Sequence, residues 1–216
     1  MSEPGAAARG HVEPEDQARA DFYALLARLF SAPPDAALLA AISAAPALAL
    51  VRSDGDPDVD RTAVELGRAW DELRSASAAV DVDAAREEYE TLFIGVGRSE
   101  VSLYASHYLG PQSGRPLAEI RAALSELGLA RRATTSEFED HLAVLLEAMR
   151  MLVAGDGDRR AADMVEQRTF FRRYVAVSAA KCCAAIEQTS VANYYVRVAQ
   201  FARHFVQIEE AAFALA

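Results

Sequence analysis

The sequence predicts an all-α fold, a single-domain bundle of about eight to ten helices. Three observations carry this. Apolar residues recur at three- and four-residue spacing along most of the chain. No segment sustains the two-residue alternation that a half-buried strand requires, and no repeat of fixed period appears. Proline, glycine and capping residues punctuate the periodic stretches at intervals that suit helix ends.

Residues 1–13 are small and polar and read as a disordered tail before one helical domain over 14–216. Pro14, Glu15 and Asp16 form a helix start, with proline in the first turn and acids on the positive end of the dipole. Phe22, Leu25, Leu26, Leu29 and Phe30 then share one face, and Pro33-Pro34 stops the helix. Asp35 is placed to cap a short helix carrying Leu38, Leu39 and Ile42. RSDGDPDVD (52–60) is the clearest break. Beyond it, Leu66, Ala69, Trp70 and Leu73 restore the helical spacing. A helix opening near Asp81 or Asp83 turns Ala85, Tyr89, Leu92 and Phe93 inward and ends at Gly95. An irregular loop is expected from there to about Gly114, long enough to be read as functional.

Pro116 restarts a helix through Ile120 and Leu124, with Gly128 suited to its C-terminal turn. Ser136 and Glu139 have capping-box spacing ahead of Leu142, Leu145, Leu146, Met149, Leu152 and Val153, the most regular stripe in the chain. Gly155 and Gly157 end it. Two long helices finish the chain. One carries Met164, Phe171, Tyr174, Val175 and Ser178. The other, capped near Ser190, carries Val191, Tyr194 or Tyr195, Val198, Phe205 and Ile208.

With 52% hydrophobic and 25% charged residues, the composition is that of a folded soluble protein. The formal charge of −10 opposes non-specific nucleic-acid binding and favours a cationic partner. Cys182 and Cys183 are adjacent, which strains a mutual disulfide, so they read as free thiols in a reducing compartment. The opening residues hold no secretory apolar run and no stretch is long enough to span a membrane, which points to the cytoplasm.

Catalytic signals are few. Gly95-Val96-Gly97 follows a helix and lacks the Lys-Ser/Thr pair of a phosphate loop. There is no His-Glu-x-x-His, Cys-x-x-Cys or Glu-x-x-His pair, and the four histidines are scattered. Asp140 and His141 stand out, read as lying in the first turn of the Leu142 helix, where the dipole favours an anion. Together with Tyr104 and Tyr108 in the loop, they suit an arginine-bearing peptide, by cation–π contact and bidentate pairing. Two other readings stay open at this level. One is a metal-dependent or hydrolytic enzyme using His107 and His141; the other is a helical regulator using Arg172-Arg173.

Glu88-Tyr89-x-x-Leu92-Phe93-x-Gly95, then Tyr104-x-Ser106-x-Tyr108-Leu109, then Glu137-x-x-Asp140-His141 with Leu145, Leu146 and Met149, occur in that order. Over about residues 85–210 the chain resembles the TorD/DmsD/NarJ family of redox-enzyme maturation chaperones. Val96, Leu103 and Phe138 stand where that pattern has proline. Tyr174 and Ser178 stand where many members have His and Trp. The resemblance implies a non-catalytic cytoplasmic chaperone with no cofactor of its own. Its partners would be the catalytic subunit of a molybdopterin oxidoreductase and that subunit's twin-arginine leader, with no nucleic acid and no integral membrane association. A monomer and a domain-swapped dimer are both compatible with it. The implied peptide-binding positions are Tyr89, Leu92, Phe93, Gly95, Tyr104, Ser106, Asp140 and His141. They are expected to line one groove, with Leu92 and Phe93 under the apolar part of the leader.

Overall fold

The computed structural model describes residues 13–49, 57–95, 99–110, 116–129, 138–156 and 160–215. Apart from Glu13, the expected N-terminal tail lies outside them, as do Val96, Ser136, Glu137 and Gly157. The expected all-α bundle is what the chain forms. In order come α1 (Pro14–Ser31), α2 (Ala36–Ala44), α3 (Pro57–Ala79) and α4 (Val82–Tyr89), which runs into a π-helical turn at Glu90–Ile94. Then follow α5 (Ala105–Leu109), α6 (Pro116–Glu126), α7 (Leu142–Ala154) and α8 (Met164–Phe170). A second π turn (Phe171–Val175) joins α8 to α9 (Ala176–Gln188), and α10 (Tyr194–Leu215) ends the chain.

Local signals act where expected. Pro14 opens α1 with Glu15 and Asp16 in its first turn. The Asp35 carboxylate accepts the Leu38 N–H at 2.8 Å to start α2. Asp81 accepts from Asp83 and Ala84 at 3.0 and 3.1 Å to start α4. Other boundaries differ. The break expected over 52–60 already turns helical at Pro57. The expected loop from Gly95 to Gly114 contains α5. The capping box on Glu139 does not open α7: that helix begins at Leu142, and His141 is its N-cap.

The largest departure is at α10. Ser190 was expected to cap it, but the cap comes from α4. Both Glu88 carboxylate oxygens accept backbone N–H groups, those of Asn193 (2.8 Å), Tyr194 (2.9 Å) and Tyr195 (2.8 Å). Three donors that the helix itself leaves unpaired are thereby satisfied by a residue on another element. Of the apolar residues assigned inward on the last helices, Met164 and Val191 are exposed, and both Tyr194 and Tyr195 are buried.

α1 packs along α7, α10 packs on α3 and α9, and α2 lies on α3. One hydrophobic cluster reaches from Ala20 to Phe213. Its centre is aromatic: Phe22 meets Phe201 at 5.1 Å and both Trp70 and Phe205 at 5.6 Å, all edge-on. Each fully buried Phe or Leu contributes about 1.5–3 kcal/mol, so this centre fixes how the long helices cross. The arrangement brings the start of α7, the N-terminus of α5 and the middle of α6 together at one side of the bundle.

Candidate functional site

Residues 103–105 run antiparallel to 140–142, pairing Tyr104 with His141 in an isolated bridge. Ala105 N–H donates to the Asp140 carbonyl at 2.8 Å, and Leu142 N–H donates to the Leu103 carbonyl at 2.7 Å. Leu103 and Ala105 point inward and are buried, so the alternation of an extended strand leaves Tyr104 outside, 36% exposed. Four of the sequence-identified residues (Tyr104, Ser106, Asp140 and His141) are thus brought into one place.

Their polar atoms serve the fold. The Asp140 carboxylate accepts the Ser106 N–H at 3.3 Å and so caps α5; it was expected in the first turn of α7 but lies before that helix. His141 accepts the Ala143 N–H on Nδ1 at 3.2 Å, which leaves that nitrogen bare and puts the neutral ring's proton on Nε2. Both residues are buried, at 3% and 4% exposure. Over them stand two exposed rings. Tyr104 meets the His141 ring edge-on at 5.3 Å and the Phe138 ring at 6.2 Å. Phe138 is 58% exposed, and it stands out in the sequence only as a departure from the family pattern.

Beside Phe138, Glu139 takes a forked contact from Arg121 of α6, with Nε at 3.0 Å and Nη2 at 3.2 Å. Hydrogen bonding to Glu139 raises the Arg121 pKa, and the charge of Asp140 adds to it. On the other flank of α6, Arg173 pairs with Glu119 at 3.0 Å and lies over the Tyr174 ring. Arg172 reaches the Phe213 carbonyl at 3.4 Å, and both arginines of the pair are exposed. α5 rests on α9 through Lys181, which donates to the Tyr108 carbonyl at 3.0 Å. The Tyr108 hydroxyl donates to the Ser102 carbonyl at 2.7 Å. Cys182 and Cys183 are both fully buried, and burial pushes the Cys182 thiol up to about 12, which makes it a poor nucleophile.

The remaining four residues form a second group. Tyr89 and Leu92 are buried at 5% and 0%, which corrects the expectation that they line an open wall. The Tyr89 hydroxyl donates to the Phe30 carbonyl at 3.2 Å, and Tyr195 does the same to Leu29 at 3.0 Å. Both tyrosines satisfy carbonyls that the C-terminal turn of α1 leaves open. Phe93 is half-buried, with its ring 5.1 Å from both Tyr89 and Tyr195 and 6.2 Å from Phe30. Gly95 N–H closes the π turn on the Glu90 carbonyl at 2.8 Å. Its φ of 57° with ψ of 157° is a conformation essentially confined to glycine. The segment that leads to Tyr104 is tied to this second group, where Val101 N–H donates to the Leu92 carbonyl at 2.9 Å. A groove of about 760 Å³ lies elsewhere, between α3 and α10, lined by residues including Val64, Arg68, Asp71, Glu72 and Arg197.

Among the described residues, no group of three or more His, Cys, Asp or Glu side chains is placed to hold a metal. No described helix is long and apolar enough to cross a membrane. His107 is exposed on α5 against the Tyr108 ring. The family model described as nitrate reductase delta subunit matches residues 60–184, more than half of the chain. The match takes in α4 to α7 and every residue of the site. No curated protein matches the chain.

Proposed function

The chain belongs to the nitrate reductase delta subunit family, a family of molybdoenzyme-maturation chaperones, and from that premise we propose that it binds the twin-arginine leader of a molybdopterin oxidoreductase in the cytoplasm. Binding holds the client back from export until its cofactor is inserted. The observation that carries this reading is the exposed Tyr104–Phe138 pair set directly over the buried Asp140–His141 turn. Large apolar rings facing water beside acidic residues suit a segment with cationic and apolar parts. Tyr104 and Phe138 make the contact, Asp140 and His141 hold the surface in shape, and the Tyr89–Leu92–Phe93 group anchors the loop from beneath. The net charge of −10 assists the encounter with a basic leader.

A synthetic Arg-Arg-Ala-Phe-Leu-Ala-Leu-Leu-Ala peptide, titrated calorimetrically, tests the reading. Phe138→Ala and Tyr104→Ala each weaken binding by about tenfold, the loss of one aromatic contact worth roughly 1–1.5 kcal/mol. Wild-type affinity in both variants, with helicity intact, refutes it. We assign no catalytic role to His107 or His141: the first is exposed, and Nδ1 of the second is engaged with the backbone.

A further inference from the structure

We infer that Arg121 is a built-in stand-in for an arginine of the bound peptide: its guanidinium occupies, on Glu139, the position that a peptide guanidinium takes on binding. The inference rests on the reading above and adds a regulatory contact to that surface.

Four observations support it. The contact is side-on and bidentate, with Nε and Nη2 on the two carboxylate oxygens at 3.0 and 3.2 Å, the geometry in which a carboxylate recognises arginine in preference to lysine. The two partners are unequally exposed, the Glu139 side chain at 12% and that of Arg121 at 57%. The carboxylate is therefore built into the surface, and the guanidinium approaches from the solvent side. A pair with one partner in water contributes little to stability, so fold maintenance does not explain it. In the chain Glu139 lies between Phe138, one of the exposed aromatic pair, and Asp140, whose charge already acts on the Arg121 guanidinium and would act on an incoming one. Finally, α6 does not depend on this contact. The helix is anchored by Ile120 and Leu124, buried at 0% and 2%, so the Arg121 side chain can swing out while the helix stays.

The consequence is a competition. Part of the peptide's affinity is used to displace Arg121, and a peptide without arginine displaces it poorly. The device thereby sets a threshold against weakly basic segments. The test is calorimetric titration of the Arg-Arg-Ala-Phe-Leu-Ala-Leu-Leu-Ala peptide, and of its Lys-Lys counterpart, into wild type, Arg121→Ala, Arg121→Gln, Glu139→Gln and the double variant Arg121→Ala/Glu139→Gln. The inference expects both Arg121 variants to bind the Arg-Arg peptide about two- to fivefold more tightly than wild type, the scale of one exposed ion pair. The gain is smaller with the Lys-Lys peptide and vanishes in the double variant. Unchanged or weaker binding by both Arg121 variants, with wild type still binding, overturns this inference alone. No binding of the Arg-Arg peptide by wild type or by the Arg121 variants overturns the leader-binding reading as well.

Discussion

Replacing Glu88 with alanine removes the acceptor of three backbone N–H groups at the start of the 22-residue α10. Loss of a helix N-cap costs about 0.5–2 kcal/mol, and a buried donor left without a partner costs about 1–3 kcal/mol. Tyr194 and Tyr195 are at 2% and 0% exposure, so their N–H groups do not simply turn to water, whereas the exposed Asn193 is solvated at once. The sum expected is about 2–4 kcal/mol. For a domain of this size each kcal/mol lowers the melting temperature by about 2–4 °C, giving a fall of roughly 4–16 °C. Glu88→Gln is more informative. Oε1 accepts from Asn193 and Tyr195, while Oε2 accepts from Tyr194. An amide can keep the first two bonds but sets its NH₂ against the third donor, so the loss is intermediate. Glu87→Ala, an exposed neighbour on the same helix, is the control and stays within about 0.5 kcal/mol. Urea and thermal unfolding followed by circular dichroism read all three. If Glu88→Ala costs less than about 0.5 kcal/mol, the carboxylate does not cap α10 and the reasoning fails.

Two further predictions concern buried polar groups. Glu209, 1% exposed, takes Arg19 through both oxygens at 2.8 and 2.9 Å and the Tyr23 hydroxyl at 2.8 Å, joining α1 to α10. Glu209→Ala removes the bidentate partner of a largely buried guanidinium, which keeps Asp16 at 2.8 Å and Gln167 at 3.2 Å, and destabilises by about 3 kcal/mol, the low end for a broken buried pair; Arg19→Ala/Glu209→Ala costs clearly less than the two single changes together, as chemical denaturation checks. Burial lowers the pKa of His204, which lies 3.1 Å from Gln207 and 3.5 Å from Glu65 with the charges of Arg203 and Arg68 nearby. The unfolded chain therefore takes up that proton first, so stability is full above the ordinary histidine pKa of 6.5 and declines as pH falls below it. His204→Gln flattens this part of the profile, and unfolding free energies measured between pH 8 and pH 5 show whether it does.

How far the structure was legible in the sequence depends on the range over which each signal acts. Pro14, Asp35 and Asp81 work within one helical turn, so the sequence reads them directly. Glu88 caps a helix more than a hundred residues away, and Arg19 meets Glu209 across nearly the whole chain; no local pattern announces either. The same division explains the site. Periodicity turned Tyr89 and Leu92 inward beside Ala85, and the structure keeps them there; assigning them to a groove as well asked one side chain to face both core and ligand. Phe93, turned inward by the same period, packs its ring on Tyr89, Tyr195 and Phe30 and stays half-buried; it lies in a π turn, whose i→i+5 bond shifts the register that a period of 3.6 assumes. Tyr104 and His141 come together through backbone bonds between residues 103–105 and 140–142, and those bonds carry no side-chain signature. The family pattern therefore located residues without assigning their roles. Asp140 and His141 turn polar atoms toward the N–H groups of Ser106 and Ala143, which stiffens the surface. What that stiffened surface presents to water is Tyr104, Phe138 and the Arg121–Glu139 pair, and of these only Tyr104 belongs to the pattern. On the reading proposed above, the contact with a leader then falls to Phe138, Glu139 and Arg121 as much as to Tyr104, and substitution at those three positions changes leader affinity without disturbing the Asp140–His141 scaffold beneath them.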